Sequence, residues 1–378
     1  MNRYILKDLV DFKNGYAFKS KFFSNSDGIP LIRIRDIKNS TTKTYYLGEY
    51  DDNFIVKNGD FLIGMDGNFE IAQWKGKDSL LNQRVCTFKI KDNNLNEKYL
   101  YYFLKIKLKQ IEDVTGYTTV KHLSITTLKN IVIETPDLLE QEKIVERLDK
   151  VFENIDHKMS IYEDEVKRID KLFNSTIHSI FVQGEDGYSE VFLKDIAEYF
   201  NGLTYSPTDK SDSGTVVLRS SNVQNNELDF KDIVRVSKNI KEKLFVQNGD
   251  VLICSRNGSK RLIGKSAEIK DLPEPMTFGT FMMIVRSDKN NYLKWFFKSS
   301  VFKQQISSGE NTMINQITRY MLDEIKLQLP NEKVQKEIDN KLTKLYKACE
   351  DLRQNINLKL YKYALLKKAI LNKEFTYE

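Results

Sequence analysis

The sequence has 378 residues, 40% apolar and 11% aromatic, with a formal net charge of +6 and a pI near 8.8. That is long for one hydrophobic core and apolar enough to build two of ordinary size. No apolar run approaches the roughly 20 residues of a membrane helix, the first residues lack a signal-peptide pattern, and Cys86, Cys254 and Cys349 are too scattered for a disulfide framework or metal knuckle. A reduced, cytoplasmic chain without a membrane span is expected, basic enough to bind nucleic acid but not obliged to.

In chain order, residues 1–136 read as mixed structure: short β-branched and aromatic runs (PLIRI, DFLIG, RVCTFKI) between Asn-Gly and Asp-Gly turns, with one helix near 97–112. KNGDFLI at 57–63 is a turn feeding a buried strand, because Asn and Gly both accept positive φ. After Pro136 the texture becomes helical over 137–183. Asp137 is placed to cap, with Glu140 three residues on as in a capping box. A ladder of apolar residues follows in steps of mostly three and four: Ile144, Leu148, Val151, Ile155, Met159, Tyr162, Val166, Ile169, Phe173 and Ile180. Such a helix is on the order of 55 Å long and must bury its seam against something. The polar, Gly-rich stretch at 183–187 then reads as a linker.

From 188 the pattern starts again. LKDLVDFKNG at 6–15 returns as LKDIAEYFNG at 193–202, RIRDI at 33–37 as RSSNV at 219–223, and KNGDFLI as QNGDVLI at 247–253. YLYYFLK at 99–105 matches YLKWFFK at 292–298, and LKNIVIETP at 128–136 matches LDEIKLQLP at 322–330. Beyond that proline one offset holds without a slip, from Pro136/Pro330 through Gln141/Gln335 to Phe181/Phe375. The second ladder is Val334, Ile338, Leu342, Leu345, Cys349, Leu352, Ile356, Tyr363, Leu366 and Ile370. The expected fold class is α+β: a tandem duplication of a β-rich domain (1–136 and 188–330), each copy followed by a long helix (137–183 and 331–378), the two helices pairing as an antiparallel coiled coil.

Catalytic chemistry is thinly provided. His157 and His178 fall off the seam of the first ladder, where a solvated helix face explains them, and His122 has no nucleophile partner, so a His-based triad is not indicated. Gly258 to Ser266 resembles a phosphate-binding loop, but five residues separate its glycines where the motif needs four. Asp137 with Glu165 and Lys167 makes a poor nuclease pattern, because charged neighbours of a helical seam are expected there and Asn331 replaces the Asp in the second copy. All six prolines are isolated, so the Pro-Pro-aromatic tetrad of an adenine methyltransferase is absent.

What remains is basic and polar decoration on the β-rich domains. In the first, the candidates for DNA contact are Lys19, Lys21, Arg33, Arg35, Lys75 and Lys77, followed by Arg84, Lys121, Tyr16 and Tyr117. In the second they are Arg219, Ser220, Asn222 and Arg319, with the basic turn SRNGSKR at 255–261 (Arg256, Asn257, Lys260, Arg261) and Lys265. Arg and Asn can make bidentate contacts to base edges, while Lys mainly reaches phosphate. An ordinary solvated hairpin tip accounts for such a turn equally well.

With these motifs the chain resembles the DNA-specificity subunits of type I restriction–modification enzymes over essentially its whole length. The resemblance rests on the doubled LKD…NG, R-x-x-[DN]-[IV] and NGD-[FV]-LI, and above all on the helix start PDLLEQEKIVERL, repeated more loosely as PNEKVQKEIDNKL. It implies two target recognition domains, each reading half of a bipartite, asymmetric site in double-stranded DNA. The helices would separate them and dock two methyltransferase subunits, and restriction–translocase subunits would complete the complex. It also implies a non-catalytic chain with no cofactor of its own, S-adenosylmethionine, ATP and Mg being held by the partners. Service to a fused methyltransferase–nuclease, or a coiled-coil scaffold that does not bind DNA, are the alternatives.

Overall fold

The computed structural model describes residues 1–115, 121–182, 187–307 and 316–375. The chain divides into two compact units, Met1–Ile161 with Lys359–Glu378, and Tyr162–Leu358. Each unit therefore contains one β-rich domain, the first half of the helix that follows it, and the far half of the other copy's helix.

In the first unit Asn2–Ile5 pairs antiparallel with Val132–Thr135, tying the two ends of the domain together. Between them lies a four-stranded antiparallel sheet in the order Val10–Asn14, Val85–Ile90, Phe61–Gly64, Ile71–Gln73. A second sheet holds the parallel pair Ile29–Ile32 and Ser79–Leu81. The second unit repeats the plan. Ser189–Phe192 closes on Lys326–Leu329, the antiparallel sheet runs Glu198–Asn201, Met282–Arg286, Val251–Cys254, Ser266–Glu268, and Thr215–Leu218 lies parallel to Met276–Phe278.

The repeated motifs are the residues this plan cannot do without. Gly59 and Gly249 take φ of 101° and 91°, and the Asp that follows each accepts the N–H of the residue opening its turn, Lys57 or Gln247, at 2.8 Å. The same carboxylates then bind a cation on the neighbouring strand, Lys89 for Asp60 and Arg286 for Asp250. Gly15 and Gly202 are fixed differently: a Cβ there would sit 2.2 Å from the Leu81 and Asn82 carbonyl oxygens, or 2.0 Å from that of Gly279.

The first long helix runs Leu138–Val182 and the second Glu332–Phe375. Asp137 caps the first through the Glu140 N–H at 2.9 Å, and Asn331 does the same for the second through Val334. The repeated glutamine joins helix to domain: buried Gln141 donates to the Asn94 and Pro136 carbonyls and accepts from the Asn96 N–H. Gln335, also buried, keeps the bond to Pro330.

Within each unit the two helix segments run in opposite directions. In the first, Arg147 pairs with Glu374 and, further along, Asp156 with Lys367. Leu148, Phe152 and Ile155 share one core with Leu371, and Phe375 meets Tyr99 with ring centroids 5.0 Å apart at 53°. In the second unit, Asp170 pairs with Arg353, Phe173 and Ile177 share a core with Leu342 and Cys349, and Phe181 meets Tyr292, again at 5.0 Å and 53°. The duplication thus extends to the packing of individual rings.

The apolar ladders are wider than their spacing suggests. Phe152, Ile177 and Phe181 are buried although they lie off the ladder, because these helices also pack on the domains. Leu352 and Leu366, on the ladder, are 52% and 46% exposed. His178 is half-buried against the Ser300 hydroxyl rather than simply solvated. After the basic turn at 255–261 the chain continues into the strand Ser266–Glu268, not the helix a phosphate-binding loop requires.

Candidate nucleic-acid interface

Most of the described candidate residues fall at one end or the other of the central strand. In the first unit, Lys75 and Lys77 flank the Gly59 turn that leads into Phe61–Gly64: the Lys75 carbonyl accepts from Asn58, and the Lys77 carbonyl from the Trp74 indole. Both side chains are exposed. At the far end of that strand stand Asp66, Arg84 and Lys121. Arg84 Nη1 lies 2.6 Å from Asp66 Oδ2, and the Lys121 ammonium is held by the Glu112 carbonyl. The Arg33–Arg35 turn belongs to this end too, since Ile34 packs against Gly64. Arg33 is exposed, while Arg35 reaches Thr44 at 3.3 Å and lies 3.8 Å from Asp36. Lys19 is exposed on a separate turn before Ser20–Phe22. Lys21 stands over the Phe22 ring, and Tyr16 is an exposed ring against Phe18 and Phe54. Tyr117 lies outside the described residues.

In the second unit the same strand end gathers the R-x-x-N turn and the basic turn. Asn257 Nδ2 donates to Ser220 Oγ at 2.9 Å, joining the two. Arg256, Lys260 and Arg261 are exposed. The Arg256 guanidinium lies 5.6 Å from the centre of the Phe281 ring. Arg319 is elsewhere, 6.0 Å from the Tyr199 ring.

Three candidates bind their polar groups within the fold itself. Asn222 is fully buried: its Oδ1 accepts the Arg219 N–H, and its amide donates to the Asp229 and Asp232 carbonyls. Asp36 accepts the equivalent bond from the Arg33 N–H, so R-x-x-[DN] encodes a self-capped turn. Lys265 directs its ammonium to the Ser220 and Val223 carbonyls, and burial pushes its pKa below the usual lysine value. Its charge holds that turn from behind. Arg219 is tied to Asp232 at 2.8 Å, with its Nε buried and unpartnered.

Sequence reading missed three neighbours of the exposed candidates, Asp66, Phe281 and Gln316, and weighed a fourth, His122, only as a triad member. His122 Nδ1 lies 2.7 Å from Asp66 Oδ1, so the carboxylate holds both His122 and Arg84. Among the described residues no group of His, Cys, Asp or Glu could hold a metal, and no helix is long and apolar enough to cross a membrane.

Two β-rich domains of one strand order, each with an exposed basic end and each continued by a long helix, define a duplicated recognition protein. The sequence profile described as "Type I restriction modification DNA specificity domain" matches residues 1–164 and again 185–362, and the chain belongs to that family as a specificity subunit with two recognition domains. It is 26% identical to the type I restriction enzyme EcoBI specificity subunit of Escherichia coli, over 99% of this chain and 85% of that protein. Against the StySPI specificity subunit of Salmonella potsdam the identity is 30%, over 49% of this chain and 43% of that one. A chain of the solved structure described as "Structural basis underlying complex assembly and conformational transition of the type I R-M system" shares the fold, with a TM-score of 0.74 at 16% identity, covering 99% of this chain and 97% of that one.

Proposed function

We propose that this chain reads a bipartite, asymmetric site in duplex DNA, one half-site per recognition domain, and performs no chemistry itself. Two methyltransferase subunits and the restriction–translocase subunits supply the reactions in the cytoplasm, with S-adenosylmethionine, ATP and Mg bound on those partners. The observation that carries this reading is the duplication itself. One strand order and one set of turn motifs occur twice, while the side chains displayed at the equivalent strand ends differ. Domains built alike but decorated differently suit two unlike half-sites.

The basic decoration supports a polyanionic partner. Lys19, Arg33, Lys75, Lys77 and Arg261 are exposed, and none makes an ion pair with the described residues. Cations left free in this way release counterions when they meet phosphate, which makes binding fall steeply with salt. A scaffold with no DNA to bind would show no such dependence. The missing Pro-Pro-aromatic tetrad supports borrowed chemistry.

Purified chain with S-adenosylmethionine and duplex DNA should transfer no methyl groups until its methyltransferase partner is added. Binding to duplex should weaken linearly on a log–log plot against salt. Methyl transfer by the chain alone would overturn the division of labour, and salt-independent or absent binding of the assembled methyltransferase would overturn the DNA-reading role.

A further inference from the structure

The far end of the central strand is built identically in the two domains. Met65 donates to the Arg84 carbonyl at 2.9 Å and accepts from the Leu123 N–H at 2.7 Å. In the second domain Ser255 donates to the Phe281 carbonyl at 3.0 Å and accepts from the Ile317 N–H at 2.6 Å. The next residue in each case bridges antiparallel to the neighbouring segment, Asp66 to His122 and Arg256 to Gln316. Asp66, Arg84 and His122 therefore occupy the same three backbone positions as Arg256, Phe281 and Gln316.

No position of this shared frame carries the same side chain in both domains. In the first domain a carboxylate 15% exposed grips an arginine and a histidine that are 61% and 68% exposed. In the second, an exposed arginine rests on an exposed phenylalanine. Stability does not explain the difference. At the other end of the same strand, where Asp60 and Asp250 bind Lys89 and Arg286, the ion pair is kept in both copies. An exposed pair such as Arg84–Asp66 adds little stability in any case, and an exposed Phe281 adds none.

We infer that this frame is the specificity-determining position of each domain, with Arg84 reading a guanine in the first half-site and Arg256 reading a guanine in the second. This rests on the half-site reading above. Arginine recognises guanine O6 and N7 by two parallel donors, which requires the guanidinium plane to be set before contact. Asp66 sets it in the first domain by engaging Nη1 alone, leaving Nη2 and Nε for the base. In the second domain the cation–π contact with the Phe281 ring, 5.6 Å from the guanidinium, restrains it. Asp66 and Phe281 are positioning residues. The arginine has changed sides of one frame, so the two domains approach their bases differently.

The test maps methylated sites in DNA exposed to the chain assembled with its methyltransferase partner. Arg84→Ala, Arg84→Lys and Asp66→Asn should each relax one guanine-containing position of the first half-site, by about tenfold or more. Arg256→Ala, Arg256→Lys and Phe281→Leu should do the same in the second. Arg84→Lys and Arg256→Lys keep the charge, so a relaxed position with either separates base reading from phosphate contact, and unchanged melting temperatures separate both from misfolding. Substitutions that lower methylation evenly at all native sites, or Lys variants that behave as wild type, would overturn the guanine assignment while leaving the half-site reading intact. An Arg84 variant that altered the second half-site would instead overturn that reading.

Discussion

A chain truncated after Leu358 should lose the first unit while keeping the second folded. Residues 359–375 follow the second recognition domain in sequence, yet they pack in the first core. Leu371 is 8% exposed there, Tyr363, Ile370 and Phe375 pack around it, and Glu374 and Lys367 form ion pairs with Arg147 and Asp156. Removing buried Leu371 alone costs about 2–5 kcal/mol, and the half-buried Tyr363, Ile370 and Phe375 are lost with it. A whole domain is stable by only about 5–15 kcal/mol. Hydrogen exchange should show amides of the helix Glu97–Val114 losing most of their protection, while those of Asn290–Phe296 in the second unit keep it. Unchanged protection in Glu97–Val114 would show that the far helix end is dispensable.

Asp250→Ala should destabilise the second domain far more than the matching change, Asp60→Ala, destabilises the first. Its side chain is 2% exposed and accepts from Arg286 Nε and Nη2 at 2.8 and 2.7 Å, as well as from the Gln247 N–H. The substitution leaves the Arg286 guanidinium with only the Phe245 carbonyl and the face of Phe200. Stranding a largely buried charge costs about 3 kcal/mol, which lowers the melting temperature of a unit this size by roughly 6–12 °C. Asp60→Ala is the internal control. Its partner Lys89 is 67% exposed, so that change should cost about 1 kcal/mol. Thermal unfolding of both variants decides the matter, and equal shifts would refute the argument from burial.

The repeat made much of this fold legible, because its short motifs are the places where backbone geometry leaves no choice. Gly59 and Gly249 need positive φ, Gly15 and Gly202 lie against carbonyls, and Gln141 and Gln335 join helix to domain. The side of the helices was read less well. A three-and-four ladder describes a helix packing on one partner, whereas these pack on a helix and a domain, so Phe152, Ile177 and Phe181 are buried outside it.

Individual contact residues were harder still. Asn222 and Lys265 read as surface polar groups, because sequence does not distinguish a side chain bonded to its own turn from one facing solvent. Asp66, Phe281 and Gln316 were overlooked, and His122 was weighed only as a catalytic group, because their frame is made by backbone bonds between segments distant in sequence. One signal was available. Asp66 and Arg256 stand the same number of residues beyond the glycine of the repeated turn, and their opposite charges mark a position where the copies diverge.

Each recognition domain reading its own half-site is the central claim, and a duplicated-domain chain tests it most directly. Residues 2–152 would replace 189–346, so that the closing strand pairs Asn2↔Thr135 and Ser189↔Leu329 and the joining glutamines are exchanged as whole sets. With the methyltransferase partner present, mapping of methylated sites should find a target whose two halves both carry the native first half-site. A folded, active chimera that kept the native asymmetric target, or whose second half bore no relation to the first, would contradict the account.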